Sequence, residues 1–193
     1  MKSSGIPAAL IGIVSLAIAV LAVFGGRIIH AQDAGQAKYA VRVPNGLAFS
    51  EFKGYEGWQT ISISYNEKLL ATTLGNPAMI KAYQDGIPGN GKPFPDGAKM
   101  AKIHWIPKKL EAFPNTIVPG TQNDVDFMVK DSTRFADSGG WGYAAFKYDA
   151  TSDTFRPFNQ TDLPPQGNDA KCGLACHTIA RGRDYVFTEY GRR

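Results

Sequence analysis

The chain has two cysteines, and both fall in Lys171-Cys172-Gly173-Leu174-Ala175-Cys176-His177-Thr178. Two thiols followed at once by an imidazole suit covalent haem attachment. The thiols add across the two vinyl groups, and the next residue ligates the iron from the same side. The usual signal has two residues between the cysteines. Here three intervene, and Gly173 can absorb the altered backbone. Other chemistries compete for the same residues. A Cys172–Cys176 disulfide suits a chain outside the cytoplasm, although so small a loop stabilises little and leaves His177 without a role. Zinc asks for four N or S ligands and would have to recruit the distant His104. A reactive thiol is poorly suited to an oxidising compartment.

These residues must be presented by something. A helix is expected from about Asn168-Asp169 to about Gly182, and it would contain Cys172, Cys176 and His177. A second is expected at Asn76-Pro77, with Asn as cap and Pro at the first helical position, continuing through Tyr83 and stopping at Gly86. Strand patterns dominate elsewhere. Thr60 to Tyr65 alternates apolar and polar residues. Ala98 to Ile106 follows a Pro95-Asp96-Gly97 turn, and Val125 to Val129, Trp141 to Tyr148 and the short Tyr185 to Thr188 add further strands. Loops are expected at Gly86 to Gly97, Pro114 to Gly120 and Leu163 to Gly167. Strands with a few helices indicate an α+β fold, mostly antiparallel β-sheet, on whose sheet a c-type haem attached through the cysteine pair would lie.

Residues 1–31 read as a targeting segment, and residues 32–193 as one haem-binding domain. Lys2 precedes an uncharged run from Ile6 to Phe24, and Gly25, Gly26 and Arg27 close it before Ala31. This suits a Sec-type signal peptide, or a retained inner-membrane anchor long enough to span a bilayer, and implies a periplasmic domain. The formal charge of +4 loses two units with Lys2 and Arg27, which is too mild for a nucleic-acid footprint.

The block from Cys172 to Thr178, followed by Asp184-Tyr185-Val186-Phe187-Thr188, resembles the ending of the cytochrome P-460 family, which includes the cytochromes c′-beta. The likeness extends to Phe94-Pro95-Asp96-Gly97 with the strand ending in Lys102, to Trp141-Gly142-Tyr143-Ala144-Ala145-Phe146, and to Phe52-Lys53-Gly54-Tyr55-Glu56-Gly57-Trp58. Together these cover residues 45–190, approximately the whole domain. The resemblance implies a mostly β homodimer with covalent haem c on Cys172 and Cys176. It implies iron ligated by His177 and an open distal position in an apolar, aromatic pocket. Its P-460 branch joins a lysine to the porphyrin edge and oxidises hydroxylamine, passing electrons to a periplasmic acceptor. Its c′-beta branch lacks that bond and binds nitric oxide.

The resemblance selects Lys102 for that lysine, as a cofactor-binding and catalytic residue. Met100, Lys102 and His104 share one face of their strand, but alternation does not say which face turns inward. His104, Met79, Met100 and Met128 are candidate sixth iron ligands. A structural role fits His104 better, and a core role fits Met79 and Met128 better. Phe49, Phe52, Tyr55 and Trp58 either wall the haem or form ordinary core. Glu51, Glu56 and Glu111 are candidate proton acceptors. The alternatives to hydroxylamine oxidation are a non-catalytic gas binder, an electron-transfer cytochrome with a sixth protein ligand, and a haem-free domain with a disulfide.

Overall fold

A computed structural model describes residues 36–43, 46–158 and 170–191. The chain divides into Met1–Ala37 and Lys38–Arg193, and the fold below is that of the second part. The expected targeting segment, the loop at Leu163 to Gly167 and the expected helix start at Asn168-Asp169 lie outside the described residues. Among the described residues, no helix is long and apolar enough to cross a membrane.

Six strands form one antiparallel sheet in sequential order: β1 (Gln59–Tyr65), β2 (Leu70–Gly75), β3 (Lys99–Leu110), β4 (Phe113–Lys130), β5 (Trp141–Asp149) and β6 (Thr154–Pro157). Helix α1 (Pro77–Gln84) connects β2 to β3, and α2 (Ala170–His177) follows the sheet. The expected α+β class is therefore observed. Asn76 caps α1 as its sequence requires: its side-chain oxygen accepts from the Met79 amide at 3.0 Å. The same oxygen accepts from the Lys99 amide at 3.0 Å, so the cap also ties α1 to β3. Gly86, at φ 86°, ends the turn after the helix.

Strand alternation gives the sheet two apolar faces, each covered by different chain. On one face Leu74, Ala101, Val125, Phe127, Val129, Ala144 and Phe146 pack against Val43, Leu47, Phe49, Phe52 and Tyr55. On the other, Met100, Met128, Trp141 and Tyr143 pack against Met79 and Ile80 of α1, Phe94, and Val186 near the C-terminus. Register puts Lys102 on this second face, with Thr73 of β2 on one side and Asp126 of β4 on the other.

Three sequence expectations are corrected. Pro114 to Gly120 is not a loop; it belongs to β4, which pairs with β3 in a long hairpin with Pro107 opposite Pro119 and Lys109 opposite Ile117. Prolines are tolerated there because the hairpin runs past the register of β2 and β5, so its outer edges need no ladder donors. Tyr185 to Thr188 is not a strand, because Asp184 (φ 49°) and Tyr185 (φ 64°) both take left-handed conformations that break extension. The C-terminal helix does not run to Gly182. It stops at His177 and tightens into a 3₁₀ turn, Thr178–Arg183. β2 and β6 were not anticipated, since neither shows clean alternation in its six or four residues.

Candidate functional site

Helix α2 lies against β5, and its contact point is Gly173. A Cβ at residue 173 would lie 2.7–2.9 Å from Cβ, Cγ and Cδ1 of Tyr143. Tyr143 is only 3% exposed and cannot yield. The glycine between the cysteines is thus needed for close approach, beyond any backbone freedom in the spacer. Gly173→Ala gains about 1 kcal/mol of helix propensity but costs about 1–3 kcal/mol in overpacking. Its thermal midpoint is expected to fall, and a rise in that midpoint would show that α2 does not dock this tightly.

This docking brings His177 onto the second face of the sheet. Its ring centroid lies 5.2 Å from that of Tyr143 and 5.0 Å from that of Phe187. Its Nδ1 lies 2.6 Å from the carbonyl oxygen of Tyr185. A carbonyl only accepts, so Nδ1 carries the proton and donates. Burial holds the imidazole below its ordinary pKa, and the Lys102 charge adds to that depression against the opposing effect of the carbonyl. The ring is therefore neutral at pH 7, with Nε2 as its lone-pair nitrogen.

A cavity of about 270 Å³ opens beside this ring. Met100, Lys102, Asp126 and Met128 from the sheet line it, together with Thr73, and facing them are Cys176, His177, Val186, Phe187 and Thr188. Of the residues singled out in the sequence, Lys102, Cys176 and His177 meet here. Cys172 lies one helical turn before Cys176, and both side chains are exposed thiols, not joined in a disulfide.

Of the remaining candidates, Met100 and Met128 also reach the cavity, and the others lie away from it. His104 shares the face of Lys102 but is not in the cavity wall; its Nδ1 pairs with Asp124 Oδ1 at 2.5 Å and lies 3.8 Å from Asp126 Oδ2. Met79 is fully buried core, while Met100 and Met128 are both core and cavity wall. Phe49, Phe52, Tyr55 and Trp58 pack on the opposite face and do not touch the cavity. Glu51 pairs with Arg134, and Glu56 with Lys38 and Tyr39; Glu111 lies in the β3–β4 turn. The cavity's carboxylate is instead Asp126, which sequence reasoning missed. The alternation of Asp126 and Met128 within β4 held the signal, but its register against Lys102 had to come from the fold.

No curated protein matches the chain. Compared with known protein families, residues 52–188 match cytochrome P460, a span running from the aromatic segment before β1 through the cavity residue Thr188. That span holds the cysteine pair, His177, Lys102 and every strand of the sheet, so the chain belongs to the cytochrome P460 family, whose members are haem proteins.

Proposed function

We propose that the chain is an exported c-type haem protein that handles small nitrogenous molecules, oxidising hydroxylamine or binding nitric oxide. The observation behind this reading is the placement of His177: a ring anchored through Nδ1 to a backbone carbonyl, in a cavity wall beside Cys176. An imidazole that is to hold a metal benefits from that arrangement, because the Nδ1 contact fixes tautomer and orientation while Nε2 remains for the metal. The donor set therefore fits a haem. Cys172 and Cys176 would hold it as thioethers, and His177 would hold its iron. Bound there, the group would supply electron transfer and a binding place for the small ligand.

The chain's own residues supply the surroundings. Met100, Met128, Val186 and Phe187 give the cavity an apolar lining that disfavours bulk water. Thr73 adds a polar side chain to the wall, while the Thr188 hydroxyl is engaged by the Tyr83 phenol at 3.0 Å. Asp126 lines the same cavity and would be the carboxylate that accepts protons from hydroxylamine. Lys102 lines the same cavity and would be the amine that the family resemblance links to the porphyrin edge. Export to the periplasm is proposed from the apolar run at Ile6 to Phe24, with a periplasmic electron acceptor following from that location. A homodimer is proposed from the family resemblance.

A second reading, an electron-transfer cytochrome, draws on Met100 and Met128, whose thioethers line the same cavity as His177. Purification from a host competent in cytochrome maturation separates the readings. A pyridine-haemochrome spectrum of haem c is expected, and colourless protein overturns the proposal. A high-spin ferric spectrum supports an open site, whereas a low-spin one with a methionine ligand supports the electron carrier. Peptide mapping then decides between enzyme and gas binder. A haem-linked peptide containing Lys102, lost in Lys102→Arg, supports hydroxylamine oxidation, and its absence supports nitric oxide binding.

A further inference from the structure

The carbonyl that fixes His177 belongs to an unusual piece of backbone. Asp184 and Tyr185 are consecutive left-handed residues, at φ 49° and φ 64°, and neither is glycine. Such conformations persist only where the surroundings over-determine them. The surroundings here are a buried ion pair. Lys130 at the end of β4 donates to both carboxylate oxygens of Asp184, at 2.8 and 3.0 Å. Their side chains are 6% and 13% exposed. Asp184 Oδ2 also accepts from the Phe94 amide at 2.8 Å, and Lys130 Nζ donates to the Gly139 carbonyl at 2.9 Å. The Tyr185 ring lies over Gly139, where a Cβ would come within 2.2–2.9 Å of it. The left-handed pair is thus pinned from three directions, by β4, by the segment before β3 and by the turn before β5.

We infer that Lys130 and Asp184 are positioning residues for the iron ligand: their ion pair holds the turn that aims the Tyr185 carbonyl at His177 Nδ1. The inference rests on the reading of His177 as an axial ligand. Its physical content is the strength of one hydrogen bond. A firm Nδ1–H to carbonyl contact makes the imidazole a stronger electron donor. That favours ferric over ferrous iron, so a loosened contact raises the midpoint potential and weakens the iron–histidine bond. Asp184→Asn keeps an acceptor for the Phe94 amide and removes the charge facing Lys130. Lys130→Met removes the cation and keeps most of the side-chain volume.

The test uses the purified haem protein. Ferrous resonance Raman reads the iron–histidine stretch, and redox titration reads the potential. Wild type is expected to show the stretch of a hydrogen-bonded imidazole. Both variants are expected to shift it to lower frequency and to move the potential upward. Val125→Ala, in the core on the opposite face of the sheet, is the comparison; it should lower the thermal midpoint while leaving stretch and potential in place. A wild-type stretch typical of an imidazole without a hydrogen bond overturns the inference before any variant is made. So does an unmoved stretch and potential in whichever variant folds. Wild-type protein without haem would instead overturn the functional reading, and this inference with it; haem present with unmoved values overturns only the role of Lys130 and Asp184.

Discussion

With Cys172 and Cys176 both replaced by alanine in a Lys102→Arg background, acid–acetone extraction is expected to remove all haem from the protein. The wild type should release none. Each single variant should retain haem through one remaining thioether, and its haemochrome band should shift toward that of a haem with one unsaturated vinyl. The expectation is all-or-none because a thioether is covalent, whereas His177 alone contributes one coordinate bond that acid breaks. The single variants decide whether the three-residue spacer is competent at both ends. Cys176 lines the cavity and Cys172 sits a turn away on the same short helix. Retention of acid-stable haem by this variant would show that the anchor lies elsewhere, and retention only while Lys102 is present would show a third covalent link through its amine.

The chemistry of this chain was easier to read than its geometry. Cys172, Cys176 and His177 declare themselves because thiols are scarce and adjacent to an imidazole. Asn76-Pro77 declares a helix start because capping is a local hydrogen-bond problem solved by the residues present. The alternation of Thr60 to Tyr65 likewise gave β1 to within a residue. What the sequence did not disclose depends on pairing between distant strands. Asp126 enters the cavity because β4 places it opposite Lys102, a register set by long-range hydrogen bonds. The extension of β4 through Pro114 and Pro119 was hidden because proline is a sound loop signal unless the strand edge it faces is free. The break at Asp184 and Tyr185 was hidden for the opposite reason: the Tyr185-Val186-Phe187 side chains favour extension, and the buried partner of Asp184, Lys130, lies over 50 residues away.

That the sheet has two faces with different tasks also explains why aromatic content was ambiguous. Phe49, Phe52 and Tyr55 cluster in sequence as pocket aromatics would, yet they close the face away from His177. The residues that flank the imidazole are Tyr143 and Phe187, which come from separate parts of the chain. Lys102 faces the cavity because its neighbours Ala101 and Ile103 are committed to the other side. Placement of the amine is thus a consequence of the aromatic core that never touches it.

Phe127→Ala tests this division of labour directly. Phe127 is 2% exposed and sits at the centre of that core. Its ring stacks on Phe52 at 4.1 Å and meets Phe49 and Tyr55 edge-on at 5.4 and 5.1 Å. Truncating it removes the transfer energy of a buried phenyl ring and leaves a void that neighbours fill only in part. The expected loss is about 3–5 kcal/mol of folding free energy, read as the shift of the denaturant midpoint at constant slope. Its neighbours in β4, Asp126 and Met128, turn the opposite way into the cavity. The folded fraction should therefore keep the wild-type haem spectrum and ligand-binding rate. A loss below about 1 kcal/mol would mean that this face is not a packed core. An altered spectrum in the folded protein would mean that Phe127 reaches the haem, and the division of the sheet into a cavity face and a packed core face would fail with it.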